Sequence, residues 1–215
     1  MISMTKETLI RLIDDEESVL RAQSTFLTMA GYRVQCYQGA LAFLEQDDFS
    51  VPGCLVLDVR MPQMSGIELQ NVMLERKIDL PIIFLSAHGD IEMAVEAVRK
   101  GAKSFLVKPP QLEKLTELIE EAVADNLKSR SDKRMAEEFE EQWALLTESE
   151  KQVALMVGKG LMNSVIGEVL DMTERTVRGH REAVYEKLEV SNAAELATFI
   201  HELQDCRKIT ESDTH

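Results

Sequence analysis

The sequence predicts an α/β domain, with five βα units forming a doubly wound parallel sheet, followed by an all-α domain of four helices built around a helix-turn-helix. Three observations predict this. Up to about residue 125, short apolar runs alternate with amphipathic stretches of about 10–15 residues, the pattern of βαβ units. From about residue 126 the strand signals stop. The remaining chain shows helical patterns alone, each opened by a residue suited to capping.

The strands are placed at residues 9–14 (LIRLID), 34–37 (VQCY), 54–59 (CLVLDV), 82–87 (IIFLSA) and 105–108 (FLVK). Helical segments such as EESVLRAQSTFLTMAG and DIEMAVEAVRKGA lie between them, and Gly31 and Gly101 stand where such helices should stop. NLKSRSDKRMAEEFEEQ follows, highly charged and poor in apolar residues, and is assigned to a linker at residues 126–141 that shares helical character with the fifth helix. Thr147 with Glu150 forms a capping box, and Gly158 and Gly160 close the helix that it opens. Asn163 and Thr173 serve as N-caps of the next two helices, and Asn192 with Glu195 opens the last. The tight LDMT turn between two short helices gives the helix-turn-helix. Met156, Met162 and Met172 are expected to fill its core.

Composition bounds the function. The chain has 215 residues, 45% hydrophobic and 29% charged, a soluble globular balance. No apolar run approaches the roughly 18 residues of a membrane span, and MISMTKETLI lacks the apolar core of a secretion signal. Cys36, Cys54 and Cys206 are few and without metal-ligand spacing, so they are expected to be buried or inert thiols in a reducing compartment, the cytoplasm. The net charge of −14 weighs against nucleic-acid binding on its face, and the C-terminal part itself carries more acid than base.

The third strand is apolar until it ends on Asp58. An unpaired buried carboxylate is costly, so Asp58 needs partners or a wet cleft. With strand order 2-1-3-4-5, Asp14 and Asp15 at the end of the first strand stand beside it. Three carboxylates this close repel, and a divalent cation with hard oxygen ligands, Mg²⁺, relieves the repulsion. Ser86 ends the fourth strand and Lys108 the fifth. Acids, a hydroxyl and an ammonium at one sheet edge suit phosphoryl transfer to a carboxylate, with Asp58 as nucleophile.

The ordered set DD, LDVRMPQMSG, LSAHGD and GAKSFLVKP resembles the receiver domain of two-component response regulators, over about residues 5 to 125. The resemblance implies that Asp58 is the phosphoacceptor, that Asp14, Asp15, Asp58 and the backbone carbonyl of Arg60 hold Mg²⁺ with Asp15 the more direct acid, and that Lys108 pairs with phosphate. It further implies that Ser86 and Phe105 are switch residues and that the Lys108–Pro109 bond is cis. Pro110 departs from the family pattern. His88 is expected to be a solvated loop residue.

LTESEKQVALMVGKGLMNSVIGEVLDMTERTVRGHREAVYEKLEV resembles the four-helix effector domain of the LuxR/NarL/FixJ family, over about residues 142 to 205, and the chain looks most like the FixJ branch. The resemblance makes Glu174–Lys187 the recognition helix, with Arg175, Thr176, Arg178, Gly179, Arg181, Glu182 and Lys187 facing DNA. His180 is as apt to bond locally as to touch DNA. Ser164, Glu182, Glu189 and Ala193 depart from the family in ways that reduce positive charge. The expected domains are a receiver at 1–125, the linker at 126–141, the DNA-binding domain at 142–207 and a tail at 208–215. The implied partners are a sensor histidine kinase, promoter DNA, a second copy on phosphorylation and RNA polymerase, with no membrane. Two other readings stay open here: an aspartate-nucleophile phosphotransferase, against which Arg60 stands where such enzymes place a second acid, and a protein-interaction regulator with a degenerate helix-turn-helix.

Overall fold

The computed structural model describes residues 7–87 and 91–212. The chain divides into two units, residues 1–129 and 130–215.

In the first unit, β1 (Leu9–Ile13), β2 (Val34–Tyr37), β3 (Gly53–Asp58), β4 (Ile82–Ser86) and β5 (Ser104–Val107) form one parallel sheet in the order β2-β1-β3-β4-β5. The register aligns the strand ends: Ile13 lies opposite Leu57, Asp58 opposite Leu85, and Ser86 opposite Val107. Strands buried on both faces read as continuous apolar runs, which is why β1, β3 and β4 are buried throughout. The period of two sends Ile13, Leu55, Leu57 and Phe84 to one face. There they meet α2 (Ala40–Gln46), α3 (Gly66–Glu75) and α4 (Ile91–Arg99) through Phe43, Leu69 and Ala97. Ile10, Leu12, Val56 and Leu85 take the other face, against α1 (Glu17–Met29) and the first part of α5 (Leu112–Ala144). Gly31 and Gly101 adopt φ of 95° and 90°, as their place after helices requires.

Residues 126–141, assigned to a linker, all lie within α5. Asn126 is buried, accepts the Gly53 N–H at 3.0 Å and donates to the Asp79 carbonyl at 2.8 Å. Farther along, Phe139 and Trp143 belong to the core of the second unit.

That unit adds α6 (Glu148–Gly158), α7 (Asn163–Leu170), α8 (Glu174–Lys187) and α9 (Ala193–Ser212). Its core gathers Val153, Val157, Ile166, Val177, Val184, Leu196 and Phe199. The capping box of α6 is closed in both directions, between Thr147 and Glu150. Asn192 accepts the Ala194 and Glu195 N–H groups at 2.9 and 3.0 Å and so caps α9. In the turn between α7 and α8, Asp171 is left-handed, with φ 54°. Gly167 lies so close beneath it that an added Cβ would sit 2.6 Å from the Met172 carbonyl oxygen.

Four expectations are corrected. Asn163 is not the cap of α7; Met162 holds that position without a side-chain bond, and Asn163 is drawn instead to Arg181. Met162 is 70% exposed and fills no core, whereas Met156 and Met172 pack against it. Cys36 is exposed, because β2 lies at the sheet edge. Residues 208–212, assigned to a tail, continue α9. His88 lies outside the described residues. No helix among the described residues is long and apolar enough to cross a membrane.

Candidate functional site

The carboxyl edge of the sheet opens into a cleft of about 210 Å³ lined by Asp15, Glu16, Asp58, Arg60, Ser86, Ala87 and Lys108. Each strand end delivers its residue because the register is aligned there. Lys108 follows β5, and its N–H donates to the Ser86 carbonyl at 2.7 Å, which fixes the loop that carries it. Gly66 opens α3 beneath Asp58; a Cβ there would come within 2.3 Å of the Asp58 carbonyl oxygen. The close approach lets the Gly66 N–H reach the Val59 carbonyl at 2.9 Å and seats the helix under the site.

The Lys108 ammonium lies between two carboxylates, 2.6 Å from Asp14 Oδ2 and 2.5 Å from Asp58 Oδ1. This resolves the cost of ending a buried strand on an acid. Asp58, only 7% exposed, is paired with a cation through one oxygen and accepts the Arg60 N–H at 2.8 Å through the other. Asp14 Oδ1 accepts the Glu16 N–H at 2.9 Å. Burial pushes the Asp58 carboxyl upward. Lys108 and the Arg60 N–H pull it down, Asp14 pushes it up again, and the net displacement is upward. For Lys108, burial works downward, but the bonds to Asp14 and Asp58 outweigh it and hold the ammonium above its usual range.

Both oxygens of Asp14 take donors, and Asp14 does not line the cleft. Among the described residues no group of three His, Cys, Asp or Glu side chains is arranged to hold a metal ion, and the Lys108 ammonium lies between Asp14 and Asp58. Asp15, Asp58 and Arg60 nevertheless line the cleft, and carboxylate and backbone carbonyl oxygens are the donor chemistry a hard divalent cation takes.

Ser86 is buried, and Phe105 is half-buried with its ring centroid 6.2 Å from that of Phe84. Ser86 lines the cleft and Phe105 lies on β5; on α4 and β5, Val95, Val98 and Val107 are exposed.

In the second unit, Val177 and Val184 bury one face of α8. Thr173 caps the helix by accepting the Thr176 N–H at 3.1 Å. The opposite face exposes Arg175, Thr176, Arg178, Gly179 and Glu182. Arg175 and Arg178 make no hydrogen bond or ion pair among the described residues. The other two cations of the expected set are already engaged. Arg181 donates to Asn163 Oδ1 at 2.7 Å and to the Tyr185 hydroxyl at 2.9 Å. Lys187 lies 2.7 Å from Glu150 Oε2, the acid of the α6 capping box. The box is legible in the sequence, but its partner, 37 residues on, is not, since no local signal connects them.

The sequence profile of the response regulator receiver domain matches residues 10–120, and that of the bacterial regulatory proteins of the luxR family matches residues 144–200. The chain belongs to the LuxR-type response regulators. Similar proteins include the response regulator protein TodT of Pseudomonas putida, 37% identical over 200 residues, covering 93% of this chain and 88% of TodT. The transcriptional regulatory protein FixJ of Rhizobium meliloti is 37% identical over 187 residues, 87% of this chain and 92% of FixJ. Among solved structures, the response regulator StyR is similar at a TM-score of 0.85 and 37% identity, over 91% of this chain and 99% of that one. LuxR-type response regulators control transcription and are not enzymes in the usual sense.

Proposed function

We propose that the protein is a transcription regulator switched by phosphorylation of Asp58, and that it reads promoter DNA with α8. The observation that carries this reading is the Lys108 ammonium held against Asp58 at the carboxyl edge of the sheet. An Asp58 oxygen attacks the donor's phosphorus; the bond from phosphorus to the donor breaks, and the leaving group keeps its electron pair. Lys108 supplies fixed positive charge where three phosphoryl oxygens arrive, an electrostatic contribution that needs no rearrangement of solvent. Asp15, Asp58 and the Arg60 carbonyl are the residues that would hold Mg²⁺. When bound, the ion neutralises phosphoryl charge and eases the repulsion among the acids. The donor is a sensor histidine kinase or a small phosphodonor in the cytoplasm.

The phosphoryl group draws the Ser86 hydroxyl toward it, and Phe105 turns inward. The exposed valines of α4 and β5 then form the surface through which two copies pair. Such coupling requires two states that differ in affinity for the phosphoryl group. A pair of effector units places two α8 helices on DNA, where RNA polymerase becomes the next partner. The free, exposed Arg175 and Arg178 favour DNA over a purely protein-binding role: local cations, rather than the total charge of the chain, meet phosphate. Sedimentation and duplex binding, each measured with and without beryllofluoride and Mg²⁺, test this reading. Mass and affinity should rise together; an unchanged mass at micromolar protein would contradict it.

A further inference from the structure

The cations of α8 are not equivalent. Arg175 and Arg178 point away from the unit, while Arg181 is turned back into it. The residue is half-buried, and its guanidinium reaches Asn163 Oδ1 at 2.7 Å and the Tyr185 hydroxyl at 2.9 Å and lies 5.7 Å from the centre of the Tyr185 ring. Asn163 is the first residue of α7 and Tyr185 stands four positions after Arg181 on α8.

The placement matters because of where these residues lie relative to the turn. Helices α7 and α8 diverge from residues 171–173, where Gly167 and the Met172 carbonyl fix the vertex. Asn163 is at the far end of the eight-residue α7, about 12 Å from the vertex at 1.5 Å per residue. Arg181 is about 10 Å along α8 by the same rise. A bond between those points closes a triangle and removes the hinge freedom that a vertex alone leaves. Arg175 and Arg178 lie between the vertex and the brace. An Arg fork makes both bonds at once from a rigid plane, which a lysine cannot.

We propose that Arg181 is a positioning residue, which sets the angle of the recognition helix through Asn163 and Tyr185, rather than a contact to phosphate. The proposal rests on the reading that α8 enters DNA. Base-edge hydrogen bonds demand distances and angles within narrow limits, whereas attraction to phosphate does not. Loss of the brace should therefore reduce sequence preference while leaving general DNA affinity intact.

The test uses the full-length protein with beryllofluoride and Mg²⁺. Its probes are one duplex selected by the wild type from a random pool and one unselected duplex of equal length. Asn163→Ala removes no charge, and Arg181→Lys keeps the charge without the fork. Each should bind the selected duplex about tenfold more weakly, the scale of one lost base contact. Affinity for the unselected duplex and the salt slope should stay at wild-type values, and the double variant should lose no more than either single one. Trp143 fluorescence checks that the second unit is folded; should Asn163→Ala fail that check, Tyr185→Phe, which removes only the hydroxyl, takes its place. Wild-type discrimination in both single variants would overturn the proposal. So would an Arg181→Ala variant that weakens both duplexes alike with a shallower salt slope. Failure of the wild type to select any duplex would instead overturn the reading of α8, and the proposal with it.

Discussion

Lys187→Ala separates two roles for one residue, DNA contact and structural tie. Its ammonium lies 2.7 Å from Glu150 Oε2, and the side chains are 35% and 8% exposed. The same oxygen accepts the Thr147 N–H at 2.8 Å, so truncation leaves Glu150 one donor but no counter-charge. A hydrogen bond to a charged group contributes about 1.5–3 kcal/mol when shielded, and an exposed ion pair about 0–1 kcal/mol. With one partner buried and the other a third exposed, the loss should be about 1–2 kcal/mol. Trp143, the single tryptophan, is in the core of this unit and reports its unfolding. At a slope of about 1–3 kcal/mol per molar urea, the midpoint should fall by about 1 M. The pH dependence has a definite sign. Lys187 holds the Glu150 carboxyl below its ordinary value of 4.5, against burial and with help from Thr147. Stability from a lowered carboxyl is present above the unfolded value and is lost as pH falls through the folded one. The gap between wild type and variant should thus be constant from about pH 6 upward and close below about pH 4.5. An unchanged midpoint, joined to weaker binding of every duplex and a flatter salt dependence, would refute the tie and make Lys187 a phosphate contact.

Arg178→Ala should weaken binding to the selected duplex by about 1–3 kcal/mol and relax preference at one position, seen by competition among single-base variants of that duplex. Glu189→Gly should raise the Trp143 urea midpoint, because Glu189 ends α8 with φ 55°, a left-handed conformation that costs a side-chain-bearing residue about 1 kcal/mol and glycine almost nothing. A midpoint that falls would show that Glu189 makes compensating contacts in solution.

The sheet and its acids were legible because their signals are local. Buried parallel strands read as apolar runs, and Asp58, Ser86 and Lys108 each stand at the end of such a run. What escaped were choices made by partners distant in sequence. Asn163 has the character of a cap, yet a guanidinium 18 residues on takes its side chain. Asp14 has the character of a metal ligand beside Asp15, and its pairing with Lys108, 94 residues later, has no local signal. Buried Arg11 went unread for the same reason: its ion pair with Asp47, at 2.7 Å, and its bonds to the Asp48 and Val51 carbonyls lie more than 30 positions away. The continuity of α5 was only half legible, since its apolar positions thin out where it leaves the sheet and resume at Phe139 and Trp143.

The central claim is that Asp58 accepts the phosphoryl group, and the most direct measurement is covalent label. The full-length protein and Asp58→Asn are incubated with a labelled small phosphodonor, with Mg²⁺ and with a chelator, and bound phosphate is counted. The wild type should take up label only with Mg²⁺, in an acyl phosphate lost to hydroxylamine, and Asp58→Asn should take up none. Undiminished label on Asp58→Asn would contradict the account.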